Sequence, residues 1–144
     1  MEWIGKLKGS GGYRGNTDYD VMVTVVRNSR SSKTAWGGYA LALVLRNKAF
    51  RIALSLKADT IKRSFIVPNQ DKIYLAFEKK DPNSIGVKLT PGKEGTHYSC
   101  RFAFLNKVEL ETAKGVWADK MYPLQYDRNK ECYYIERNDG QERE

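Results

Sequence analysis

The sequence predicts a mostly β domain with short helices, and three observations predict it. Apolar runs are short: the longest, Tyr39 to Leu45, has strand length and falls far below the roughly 20 residues that span a bilayer. β-Branched and aromatic residues crowd into these runs. Glycine, proline and Asn/Asp clusters punctuate them at short intervals. With 144 residues, 41% hydrophobic and 12% aromatic, the chain can bury one core without disulfides or metals, and it is not a disordered sequence. The start, Met1-Glu2-Trp3-Ile4-Gly5-Lys6, has an early acid and no apolar stretch, which predicts an unsecreted, cytoplasmic protein with no membrane partner.

Residues 1–18 hold five glycines and several cations without periodicity, and read as a flexible basic arm. A single β-rich domain is expected over 19–136. It opens with a strand from Tyr19 to Val26 that ends at Arg27-Asn28, a polar basic loop through Ser29 to Thr34, and a buried strand from Tyr39 to Leu45. A turn at Arg46-Asn47-Lys48 then leads to a strand over Phe50 to Leu54. Ser55 reads as the N-cap of a short helix with Ala58, Ile61 and Phe65 on one apolar stripe, ending before Pro68. Strands at Lys72 to Glu78 and Ile85 to Leu89 complete a β-α-β-β unit over 50–89.

The pattern repeats over 98–136. A strand from Tyr98 to Phe104 precedes Asn106 and Glu109, spaced as a capping box, and Gly115 marks a helix stop. Val108 to Thr112 also alternates like a strand, so 107–114 is open between the two. A hairpin follows, from Lys120-Met121-Tyr122-Pro123-Leu124-Gln125-Tyr126 to Glu131 through Glu136, with Pro123 placing its strand at an edge or after a bulge. The predicted architecture is a small barrel of two tandem β-α-β-β units plus N-terminal strands, closed by a frayed charged tail over 137–144.

The charge of +8 is uneven: residues 1–72 carry 13 Lys/Arg against 5 Asp/Glu, and residues 73–144 carry 12 against 12. A basic surplus on one side of a small body attracts a polyanion and releases its counterions, so nucleic acid leads the partner classes, with DNA favoured. The cations expected to make contact are Arg14, Arg27, Arg30, Lys33, Arg46, Lys48, Arg51, Lys57, Lys62 and Arg63. Arginine forks onto phosphates or guanine edges and lysine adds a point charge, which singles out Arg46/Lys48 and Lys62/Arg63. Trp36 and Tyr39, beside glycines, are the candidates for base stacking.

Catalytic patterns are scarce, and no enzyme is expected. One histidine, His97, would have to serve any nucleophile triad. His97, Cys100 and Cys132 offer three ligands where a closed zinc site wants four, and residues three apart on a strand face opposite ways, so neither metal nor cofactor is expected. The cysteines read as packed thiols. Gly9-Ser10-Gly11-Gly12-Tyr13-Arg14-Gly15 lacks the Gly-Lys-Ser/Thr ending of a phosphate loop and precedes a strand.

Arg51-Ile52-Ala53-Leu54, the segment Leu56 to Phe65 with Lys62-Arg63, and Asn69-Gln70-Asp71-Lys72-Ile73 resemble, in that order, the swapped-hairpin module of AbrB-like regulators and MazE-type antitoxins over 50–89. The resemblance implies a strand, a short helix, a turn and a hairpin, with basic residues touching DNA. Ile66 stands where the family has glycine, and the proline of the family's first strand is missing. The expected function is a double-stranded DNA-binding regulator. The alternatives are a single-stranded nucleic-acid-binding β-barrel, or a structural protein of phage or mobile-element type that self-associates through edge strands.

Overall fold

The structure, a computed structural model, describes residues 17–27, 38–83 and 85–142. It is mostly β, in two antiparallel sheets. Eleven strands are present among the described residues: β1 (Val21–Arg27), β2 (Tyr39–Leu45), β3 (Thr60–Arg63), β4 (Lys72–Glu78), β5 (Val87–Lys88), β6 (Thr90–Pro91), β7 (Tyr98–Ala103), β8 (Lys120–Tyr122), β9 (Gln125–Asp127), β10 (Cys132–Glu136) and β11 (Gln141–Glu142). Helix α1 spans Asn47–Ser55, and α2 spans Lys107–Thr112 and widens into a π-turn over Ala113–Trp117. No described helix is long and apolar enough to cross a membrane.

Sheet A has the order β11-β8-β1-β2-β7-β6 and sheet B the order β5-β3-β4-β10-β9, so four edges stay open and no barrel closes. Strand alternation sends Val21, Val23, Leu41, Leu43, Leu45, Cys100 and Phe102 of sheet A, and Ile61, Ile73, Leu75 and Ile135 of sheet B, into one shared core. Residues 120–126 form two short strands, not one. Pro123, which cannot donate to a ladder, marks the point where the chain leaves β8 in sheet A for β9 in sheet B.

The largest departure from expectation lies at 47–65. Phe50 to Leu54 is helical, and the segment read as a helix from Leu56 to Phe65 is a turn followed by β3. In α1, Ala49 and Ala53 are both fully buried with Ile52 packed beside them, an i, i+3, i+4 stripe whose small members let the helix sit close to the sheet. Leu54 and Leu56 are exposed. The helix ends at Lys57, whose φ of 53° is left-handed, and the Ala58 N–H closes back on the Ala53 carbonyl at 2.9 Å. Of the expected stripe, Ile61 is buried in β3 but Phe65 faces solvent. The strand-then-helix order implied by the family resemblance over 51–65 is therefore inverted, and the two halves do not form matching units.

The ambiguous segment after Asn106 is helical. The Asn106 side chain accepts from the Glu109 N–H at 2.8 Å, as a cap should. Gly115 does not stop the helix, which continues to Trp117. The tail expected to fray instead forms a 3₁₀ turn over Arg137–Asp139 and places β11 against β8.

One carboxylate ties the opening strand to two later elements. Asp20 accepts from the Lys48 N–H at 3.2 Å and from the Leu124 N–H at 2.8 Å, so it caps α1 from outside the helix and fixes the entry to β9. Arg46, at the helix N-cap, supplies no side-chain cap of its own. The Asp20→Ala variant should lose about 2 kcal/mol, because it orphans two N–H groups that a charged acceptor had satisfied. Urea denaturation monitored by circular dichroism reads this directly, and an unchanged midpoint would mean that solvent caps the helix instead.

Candidate nucleic-acid interface

Helix periodicity places Lys48, Arg51, Ile52 and Ser55 on one face of α1. That face and Leu56 meet Tyr126 of β9 and Tyr133 of β10 across an open groove of about 580 Å³. None of the seven lining residues is a carboxylate. The Lys48 Nζ donates to the Leu124 carbonyl at 3.1 Å, which holds its charge at the groove wall. Arg51 is exposed, and its side chain makes no ion pair or hydrogen bond among the described residues. Tyr126 is 48% exposed and packs edge-on against Tyr133, with centroids 4.9 Å apart, while Tyr133 leans on Phe77 at 5.8 Å. The two tyrosines form a rigid aromatic wall with one accessible member.

The other cations go elsewhere. Arg27 ends β1 with its guanidinium 5.6 Å from the Tyr39 ring centre, and Lys114 lies 5.1 Å from the same centre. Tyr39 thus already holds two intramolecular cations. Arg46 reaches the Thr96 hydroxyl at 3.4 Å, and its Nε is buried with no partner among the described residues. Lys57 is exposed at the end of α1. Lys62 pairs with Glu78 at 3.0 Å on the solvent side of sheet B. Arg14, Arg30, Lys33 and Trp36 lie outside the described residues.

Arg63 is withdrawn from the surface. Its side chain is 5% exposed and paired with Glu109, itself 3% exposed. The guanidinium also donates to the Ser64 carbonyl at 2.9 Å and the Ala103 carbonyl at 3.2 Å, and lies over the Phe102 ring at 5.3 Å. This binds β3 of sheet B to the end of β7 in sheet A and to α2. It is an architectural ion pair, almost wholly buried, although Arg63 also lines a small recess beside Lys62 and Phe65.

Only Lys48 and Arg51 of the expected contact residues share the groove. Sequence reading missed Tyr126 and Tyr133, although a signal existed. A four-residue turn joins Gln125-Tyr126-Asp127 to Cys132-Tyr133-Tyr134, which makes Tyr126 and Tyr133 cross-strand partners.

Nothing at His97, Cys100 or Cys132 suggests a metal centre, and no group of three or more His, Cys, Asp or Glu side chains converges among the described residues. His97 lies against Gly92, where a Cβ would come within 2.2 Å of its ring. Its pKa is lowered first by burial and then by Arg46, with Glu94 acting in opposition. Burial pushes the Cys100 thiol up to about 12. Burial also raises Tyr122, whose hydroxyl donates to the Trp117 carbonyl at 2.8 Å. Comparison with known proteins yields no match: no family model, no curated protein and no solved structure matches this chain.

Glu109→Ala leaves the Arg63 charge buried and should cost about 3–5 kcal/mol, whereas the double change Arg63→Met, Glu109→Leu should recover most of that. A loss under about 1 kcal/mol in urea titration would class the pair with solvated surface bridges. Cys100 should resist alkylation at about pH 8 in the folded protein and react on unfolding, as peptide mass spectrometry can show. Its raised pKa also sets a sign. The unfolded thiol ionises near its ordinary 9.0 while the folded one holds its proton, so this contribution to stability is full below 9.0 and is lost as pH climbs toward about 12.

Proposed function

We propose that the chain is a nucleic-acid-binding protein that takes a single-stranded segment into the groove between α1 and the β9–β10 hairpin. The observation that carries this reading is the meeting of Arg51 and Lys48 with Tyr126 and Tyr133 in a cleft whose lining has no carboxylate. Phosphates need unpaired cations, and bases need an accessible aromatic face or edge; this cleft offers both at once. Its tyrosines do not discriminate among bases, since every base has a π-face. A duplex is less well served. Lys62 is already paired with Glu78, and Arg63 is buried against Glu109, so the basic ridge expected for double-stranded DNA is missing at that pair.

Fluorescence anisotropy with single-stranded and duplex oligonucleotides tests the proposal. Arg51→Ala should weaken single-strand binding about tenfold and flatten the salt slope by about 0.7, the share of one phosphate contact. Tyr126→Ala should cost about 1–3 kcal/mol on single strands and little on duplex. Affinity that ignores salt and both substitutions removes this function from the groove.

A second reading, self-assembly, is favoured by one end of the molecule. Phe65 is 65% exposed, Ile85 84% and Leu105 56%, and these residues line one recess beside edge strand β5. The cations lining that recess, Lys62 and Arg63, are both ion-paired within the chain, so a second copy meets no net charge there. Sedimentation should then show dimers that salt does not dissolve and that Ile85→Asp does. A monomer at high concentration eliminates this reading.

A further inference from the structure

The face of sheet B that points away from the core carries a second aromatic and basic surface. Strand alternation buries Ile73, Leu75 and Ile135 and turns Tyr74 and Tyr134 the other way. The two are direct cross-strand partners on neighbouring interior strands, β4 and β10, with ring centroids 5.9 Å apart. Each ring holds a lysine: the Lys72 ammonium lies 4.6 Å from the centre of Tyr134, and the Lys130 ammonium 4.7 Å from the centre of Tyr74. Neither ammonium has an ion pair among the described residues.

Among the described residues, two of the three acids of this face, Glu78 and Asp127, are already engaged. Glu78 is held by Lys62. Asp127 accepts the N–H groups of Asn129 and Lys130 and, at 3.3 Å, the Tyr74 hydroxyl, and its carboxyl pKa is lowered chiefly by the Lys130 N–H. Glu136 sits opposite Lys72 in the ladder. Two cations therefore rest on aromatic faces instead of on carboxylates.

We infer that this face is a second contact surface for single-stranded nucleic acid, with neighbouring bases stacked on Tyr74 and Tyr134 and with Lys130 and Lys72 moving from the rings to the flanking phosphates. A nucleotide replaces both halves of each lysine–tyrosine contact, since its base takes the ring and its phosphate takes the ammonium. The ring separation exceeds the roughly 3.4 Å rise of stacked duplex bases, so it suits bases splayed apart on a single strand. The inference rests on the proposed function and extends it across one hairpin. Tyr133 faces the α1 groove while Tyr134, its neighbour in β10, faces outward and donates to Gln125 of edge strand β9 at 3.2 Å. A strand leaving the groove reaches the second surface by passing over β9.

The test uses the full chain and a labelled oligothymidylate of roughly 20 nucleotides, longer than the 4–16 that one small β domain commonly covers. Tyr74→Leu with Tyr134→Leu should weaken binding by at least about tenfold. Lys72→Glu with Lys130→Glu, which leaves both rings in place, should do the same and steepen the loss at low salt. If both double variants bind like the parent while Arg51→Ala is weakened, the sheet face is overturned and the groove stands. If they lose affinity and Arg51→Ala does not, the groove reading falls and the sheet face stands. Should the tyrosine variant melt early, the lysine variant alone decides. A parent chain that binds no oligothymidylate at any salt concentration overturns both.

Discussion

The buried pair of Arg63 and Glu109 is the constraint around which the two sheets are joined. Two charges removed from water need partners to be tolerated, and here the guanidinium serves a carboxylate and two carbonyls and covers a ring, with only its Nε left without a partner among the described residues. These partners come from β3, the end of β7 and α2, so one side chain fixes the spacing of elements that share no strand ladder. Glu109 can serve because Asn106 caps its own N–H and orients the first turn of α2. The capping pattern visible in the sequence thus has a tertiary role: it aims the acid as well as starting the helix.

Fold class was legible, but the order of elements was legible only in part. β1, β2, β4, β7 and the β9–β10 hairpin follow from β-branched and aromatic runs between turn residues, a signal that local preference carries. The segment 47–65 reads as strand first because large apolar residues stand at every second position of Phe50-Arg51-Ile52-Ala53-Leu54, while its helical stripe depends on two alanines, Ala49 and Ala53, that carry little hydrophobic weight. Their value is smallness, and only the neighbouring sheet reveals it. Barrel closure failed for a related reason. Pro123 marks an edge or bulge in the sequence, but which sheet each side of it joins is decided elsewhere: β8 pairs with β1, about 100 residues away, and β9 joins sheet B through β10, which itself pairs with the distant β4.

The interface was harder to read, since charge in a sequence does not say what neutralises it in space. Lys62 and Arg63 are adjacent and basic, yet alternate pointing in β3 sends one outward to Glu78 and the other inward to Glu109. Arg51 is as basic as they are, and it remains unpaired among the described residues because the helix turns it into a groove whose lining has no carboxylate. The same alternation in β10 divides Tyr133 from Tyr134, so a Tyr-Tyr pair supplies one ring to each side of the hairpin.

The strand order also governs how the chain comes into being. β1 needs β8, where Val21 sits opposite Tyr122, and β4 needs β10, where Ile73 sits opposite Ile135, so the interior of each sheet is finished only by the last quarter of the polypeptide. Pairings this distant require large loops to close before any native ladder rewards them, which makes acquisition of the native state slow for a chain of this size. During synthesis the leading half emerges with β1 lacking β8 and β2 lacking β7, and its surplus positive charge opposes the association of such nascent chains.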